Sequence, residues 1–147
     1  MMRILIVDDH VGMRQALVCM FDGMSEMEVV AEAADGFAAV QLASECQPDV
    51  VVMDVEMPRL DGIGATRRIV AEHPDMRIIG LSTHRSSVYV KAMLAAGACA
   101  YVLKDEMLTD LIEAIEAATD GRVYLSPSLV SGTSEKIPFA SGARCML

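Results

Sequence analysis

The chain has 147 residues, of which 53% are hydrophobic and 22% charged, a composition that supports one packed domain with a short tail and excludes intrinsic disorder. The formal net charge of −9 repels phosphate backbones and argues against nucleic acid as a direct partner of this stretch. Aromatic residues make up only 4%, so Val, Ile, Leu, Ala and the 12 Met must build the core, as suits an α/β protein.

In chain order, an apolar run at residues 4–7 (ILIV) predicts a first strand, and a helix follows over 12–21 with Gly23 at its end. Val29 and Val30, flanked by Glu28 and Glu32, predict a short edge strand over 28–31. A helix over 37–46 takes its apolar face from Ala38, Val40, Leu42 and Ala43. The uninterrupted VVVM at 50–53 and IIGL at 78–81 predict strands buried on both faces of a parallel sheet. Between them lies a helix over 63–72, closed by Pro74. A helix over 87–96 ends before Gly97, a fifth strand spans 99–103, and a last helix over 108–119 presents Leu111, Ile112, Ile115 and Ala118. Alternating strand and helix signals imply βαβ units and a doubly wound sheet with helices on both faces. From Ser126 onward the sequence is Ser/Gly-rich and aperiodic, so the expected organisation is a domain over 1–124 and a linker or flexible tail over 125–147.

The N-terminal apolar run stops at Asp8, too short for a signal-peptide core, and no later run reaches spanning length. Cys19, Cys46, Cys99 and Cys145 form no C-x-x-C pair and are expected as reduced, mostly buried thiols rather than a disulfide framework or metal site. A cytoplasmic location with no membrane partner follows as the expectation.

In an open α/β sheet, function gathers at the carboxyl ends of the strands. The polar residues that follow the strands are Asp8 and Asp9, Asp54, Ser82 with Thr83, and Lys104. Each has an ordinary alternative: a helix cap for the Asp8-Asp9 pair, a loop acid for Asp54, a turn residue for Ser82, a solvated charge for Lys104. Together those alternatives require four coincidences at one end of the sheet. Crowded carboxylates call for a hard cation, and Mg²⁺ suits one or two carboxylates completed by waters and a phosphoryl oxygen. Lysine is a point-charge partner for phosphate oxygens, and a serine hydroxyl supplies one more donor. The set suits phosphoryl transfer, and no His or Cys nucleophile–base pair is evident.

Asp8-Asp9, M-D-V-E-M-P-R-L-D-G at 53–62, Ser82 and Lys104 resemble the signature of response-regulator receiver domains, over about residues 3–122. The resemblance implies a five-stranded parallel sheet in the flavodoxin-like order 2-1-3-4-5. It implies that Asp54 accepts phosphate from a phosphohistidine on a sensor histidine kinase or phosphotransfer protein. Mg²⁺ would be held by Asp9 and Asp54, by the backbone carbonyl of Glu56, and by Asp8 through water, while Lys104 binds the phosphoryl group. Ser82 and Tyr101 match the family's switch pair: the hydroxyl moves toward the phosphoryl oxygens and Tyr101 turns inward, reshaping the surface of the fourth helix, fifth strand and fifth helix. V-D-D-H at 7–10, L-K-D at 103–105 and G-R-V-Y-L-S-P at 121–127 are similar to the NarL/FixJ/LuxR-type subgroup. Most receivers carry proline after the lysine, where this chain has Asp105. In the subgroup a helix-turn-helix domain follows a linker, and this chain ends before one could fit. The expectation is thus a receiver controlling a transcription output absent from this chain, which takes phosphate on itself and is not a turnover enzyme. The alternative is a stand-alone receiver acting by docking or phosphorelay. A Mg²⁺-dependent phosphatase with an aspartate nucleophile fits less well, because residues 54–58 lack the second Asp of D-x-D-x-[TV].

Glu56 and His84 occupy variable positions two residues beyond Asp54 and Ser82 and should flank the phosphoryl group. They are expected to pair across the site mouth and tune phosphate lifetime. Oligomeric state stays open, with a homodimer on phosphorylation as one outcome.

Overall fold

Six strands form one parallel sheet in the order β2-β1-β3-β4-β5-β6, built from β1 (Met2–Val7), β2 (Met27–Ala33), β3 (Val50–Asp54), β4 (Arg77–Ser82), β5 (Ala100–Leu103) and β6 (Tyr124–Leu125). The computed structural model describes residues 1–131. The helices are α1 (Val11–Asp22), α2 (Gly36–Cys46), α3 (Gly62–Glu72), α4 (Ser87–Ala96), α5 (Met107–Thr119) and the short α6 (Pro127–Ser131), with a 3-10 turn at Lys104–Glu106.

Period-two alternation in fully buried strands divides the core into two layers. Leu5, Val7, Val51 and Met53 face one side, where Ala39 and Ala43 of α2, Ala65 and Ile69 of α3, and Val90 and Met93 of α4 cover them. Ile4, Ile6, Val50 and Val52 face the other, under Leu17 and Phe21 of α1 and Leu111 and Ile115 of α5. The expected doubly wound arrangement and strand order hold, and β2 lies at the edge as its flanking glutamates indicated. The β1–β2 register slips between Ile4 and Leu5, leaving Val30 as a bulge.

Helix starts follow capping chemistry. Asp35, Asp61 and Ser86 accept side-chain bonds from the N–H groups of Ala38, Gly64 and Val88 at the heads of α2, α3 and α4. Gly97 ends α4 at φ +115°, a left-handed conformation that glycine adopts without strain.

The sheet has six strands where five were expected. Tyr124 and Leu125 pair in parallel with Ala100 and Tyr101, and the packed structure continues past residue 124, with Ser126 and Leu129 buried. A two-residue strand has no period to read, and its Ser/Pro surroundings have linker composition. The tail expected beyond residue 131 lies outside the described residues. The expectation of reduced, buried thiols needs correction: Cys19 is free but exposed, because it stands on the outer side of α1, and Cys46 is free and half-buried. Cys99 is buried and disulfide-bonded, and Cys145 lies outside the described residues. No helix among the described residues is long and apolar enough to cross a membrane.

Candidate functional site

The parallel strands deliver their last residues to one edge of the sheet. Asp54 is the final residue of β3 and Ser82 that of β4, while Asp8 and Lys104 directly follow β1 and β5. Asp8, Asp54 and Ser82 are buried, and Asp9 is half-buried. The Lys104 Nζ lies 3.0 Å from Asp8 Oδ2 and 3.2 Å from Asp54 Oδ1, so one ammonium bridges the first and third strand ends. The grouping of Asp8, Asp9, Asp54, Ser82 and Lys104 at strand ends, legible in sequence, is therefore a real juxtaposition of Asp8, Asp54 and Lys104.

The backbone around Asp8 is fixed from three directions. Its N–H donates to the Ala33 carbonyl, its carbonyl accepts from Arg14 Nη1 at 2.7 Å, and its Oδ1 accepts from the His10 N–H at 2.9 Å. The helix-cap alternative for Asp8-Asp9 is not what forms: His10 is the N-cap of α1, and no side chain caps that helix. His10, which was not among the expected site residues, places Nδ1 3.5 Å from Asp8 Oδ1 and 3.4 Å from Asp9 Oδ1. Its signal was its adjacency in V-D-D-H.

After β3 the chain turns sharply through Met57-Pro58, and Gly62 donates its N–H to the Val55 carbonyl at 2.9 Å. A Cβ on Gly62 would run into the Asp54 carbonyl oxygen and the Val55 backbone. Gly62→Ala is therefore expected to destabilise the chain by about 3 kcal/mol, because the obstacle is backbone and cannot swing aside. Urea unfolding measures this, and a loss below about 0.5 kcal/mol would show that the loop yields.

Burial pushes the Asp54 carboxyl up to about 6, the Asp8 charge adds to the rise, and Lys104 opposes it. Burial works against the Lys104 ammonium, but Asp54 and Asp8 outweigh it and hold the group above the ordinary lysine value. Asp8 Oδ2 has the ammonium as an ion-pair partner but no well-directed hydrogen bond, and the buried Asp9 Oδ1 also lacks one. Acidic oxygens buried without such partners are suited to a hard, oxygen-seeking cation. The donor set thus fits a divalent ion, and Asp8, Asp9 and His10 converge closely enough to share one.

At the end of β4, Ser82 Oγ accepts from the His84 N–H at 2.9 Å. Tyr101 is fully buried and donates its hydroxyl to the His84 carbonyl at 2.8 Å, so its ring is turned inward in this structure. That burial raises the phenol to about 12. His84 Nε2 approaches Glu56 Oε2 to 2.9 Å, placing these two side chains together as expected from their positions, although the N–H direction is not that of a good hydrogen bond. The imidazole also stacks on Tyr89 of α4, with centroids 4.1 Å apart and planes at 13°. Asp105, standing where most receivers have proline, pairs with Arg85 at 2.8 Å. Neither Tyr89 nor Arg85 had a sequence signal, because nothing in spacing reveals a partner brought in by a different loop.

The doubly wound fold with its acidic strand-end cluster is that of a signalling domain, and the response regulator receiver domain family model matches residues 4–116. The chain belongs to that family. It is 37% identical over 127 residues to the transcriptional regulatory protein DegU of Brevibacillus brevis, a match covering 86% of this chain and 54% of that protein. A LuxR-family two-component response regulator from Aurantimonas sp. SI85-9A1 superposes with TM-score 0.84 at 38% identity, covering 88% of this chain and 92% of that one. The isolated REC domain of RcsB from Salmonella enterica serovar Typhimurium, determined in the presence of phosphomimetic BeF3−, superposes with TM-score 0.80 at 26% identity, covering 88% and 96%. The chain thus resembles NarL/FixJ/LuxR-type regulators and spans about half the length of DegU.

Proposed function

We propose that this receiver is switched by phosphorylation of Asp54, with a sensor histidine kinase or phosphotransfer protein as donor. The observation that carries the reading is the Lys104 ammonium set between Asp8 and Asp54 at the edge of the sheet. An Asp54 carboxylate oxygen attacks phosphorus as the P–N bond of the donor's phosphohistidine breaks and its electron pair returns to the imidazole. Lys104, already 3.2 Å from Asp54, meets the charge on the new phosphoryl oxygens. A bound Mg²⁺, held by Asp9, Asp54 and the Glu56 carbonyl with Asp8 acting through water, would supply further neutralisation of that charge. Ser82 Oγ accepts from the His84 N–H and would turn its own O–H toward the phosphoryl group, pulling on the loop whose carbonyl holds Tyr101. The result is self-modification rather than turnover.

Relatives named as transcriptional regulatory proteins support an output at genes, exerted through a part of the protein beyond residues 1–124. The reading is tested by exposing the chain to acetyl phosphate with Mg²⁺ and mapping the modified peptide. One phosphoryl group on Asp54 is the expected product, and uptake at another residue sinks the assignment.

The Glu56–His84 pair gives the same site a timer. At 2.9 Å it closes part of the mouth and limits the approach of water to the acyl phosphate. An exposed pair contributes up to about 1 kcal/mol, so Glu56→Ala and His84→Ala are each expected to shorten phosphate lifetime by up to roughly fivefold. Following loss of phosphate from Asp54 by intact mass decides this; equal lifetimes in both variants reject it.

A further inference from the structure

The segment that enters the sheet as β6 is tied to the phosphorylation site itself. Its strand pairing ends at Leu125, but the Ser126 hydroxyl carries the ladder one step further. The Ser126 N–H donates to the Tyr101 carbonyl at 3.0 Å, and its Oγ accepts from the Leu103 N–H at 3.0 Å. Leu103 directly precedes Lys104, and Ser126 is completely buried. A serine side chain thus fixes the end of β5 from which the phosphate-binding ammonium projects.

A second set of contacts ties the same segment to the other side of the site. Ser128 Oγ donates to Glu106 Oε1 at 2.6 Å and receives Arg85 Nη1 at 3.4 Å, while Arg85 Nη2 reaches Asp105 Oδ2 at 2.8 Å. Arg85 belongs to the loop whose preceding residues are Ser82 and His84, and Asp105 and Glu106 follow Lys104 in the 3-10 turn. Leu125 and Leu129 lie in the same apolar layer as Tyr101, Leu103, Val90 and Met93. Exposed ion pairs of this sort add little stability. Their placement matters more: the Ser126 and Ser128 bonds join the segment to β5, to the 3-10 turn after Lys104 and to Arg85, and the Arg85–Asp105 pair ties those last two to each other.

We propose that residues 124–129 are a positioning element of the phosphorylation site: Ser126 sets the strand end that presents Lys104, and Ser128 clasps the segment to the Ser82–His84 loop through Arg85. The proposal rests on the phosphoacceptor reading of Asp54 and extends it to the exit of the domain. Seating of the segment and occupancy of Asp54 are then linked, and linkage acts equally in both directions. Anything pulling on the chain after residue 129 would be felt at Lys104, and a phosphoryl group at Asp54 would be felt after residue 129.

The test uses beryllofluoride with Mg²⁺ as the probe on the full chain, read by amide hydrogen exchange and by a binding titration. In the unaltered chain, probe binding is expected to change protection of residues 124–129 together with that of residues 82–86. Ser126→Ala and Ser128→Ala, which leave the carboxylates and Lys104 intact, are expected to weaken probe affinity by roughly fivefold or more, the lower end of ordinary coupling between sites. Ser126→Thr, which keeps the hydroxyl, should recover affinity that Ser126→Ala loses, a recovery that a purely structural role for the segment would not predict without a matching change in urea midpoint. Binding of the probe with unchanged protection in 124–129 and unchanged affinity in both alanine variants overturns the linkage while leaving the phosphoacceptor reading intact. Failure of the probe to bind the unaltered chain at all overturns both.

Discussion

Asp54→Ala is expected to take up no phosphoryl group from acetyl phosphate under conditions that modify the unaltered chain once, and Lys104→Ala to be modified about 10²-fold more slowly. The two differ because they remove different things. On the proposed reading Asp54 is the nucleophile, and the buried Asp8 carboxylate is already engaged by the same ammonium. On the same reading Lys104 would form no bond in the reaction but would answer charge that grows on the phosphoryl oxygens in a largely buried site. Its removal also strands two acids that now share one cation, so the variant should respond more steeply to Mg²⁺ concentration than the unaltered chain. Intact-mass time courses at several Mg²⁺ concentrations measure both effects. Equal modification of Asp54→Ala would overturn the assignment outright.

Asp54→Asn is expected to stabilise the Mg²⁺-free chain, by an amount that depends on pH in a defined way. The Asp54 carboxyl rises from 3.8 to about 6 on folding, chiefly by burial. A group bound more tightly to its proton in the folded state contributes stability that is fully present below pH 3.8 and lost as pH rises toward about 6. A rise of that size corresponds to about 2–3 kcal/mol, so the asparagine variant should gain that much on the unaltered chain between pH 4 and pH 7. Urea unfolding across that range gives the difference curve. Adding Mg²⁺ at pH 7 should narrow the gap, because an ion bound only by the folded state returns what the ionised carboxylate costs. A flat difference curve would mean that the strand-end environment does not hold the carboxyl as the geometry indicates.

The parts of the molecule that were legible in sequence share a cause. ILIV, VVVM and IIGL are uninterrupted because both faces of those strands are covered, and the acids and lysine stand at their ends because a parallel sheet sends every carboxyl end the same way. Predicted helix limits fell within a residue of the observed ones, since α1, α2, α3 and α5 each begin one residue earlier than their periodic pattern. What remained illegible depended on tertiary partners. The inward seat of Tyr101 is a rotamer held by the His84 carbonyl; the stacking of His84 on Tyr89 joins a loop to a helix; and β6 is recruited by the unpaired side of β5 rather than by any preference of Tyr124 and Leu125. Ser126 is the sharpest case. In sequence it begins a linker, and in the fold it is a completely buried residue beside the end of β5.

The two margins of the sheet are built unlike its centre. On one side β2 carries exposed Glu28 and Glu32 and a bulge at Val30; on the other, β6 offers only two residues before the chain turns into α6. Negative charge, a kink and brevity are all means of refusing a foreign strand. A growing fibril or a strand-exchanged pair would have to begin at one of these margins, and both are poor templates for it. Any self-association of the receiver would thereby be directed to its helices, where contacts can form and part without opening the sheet.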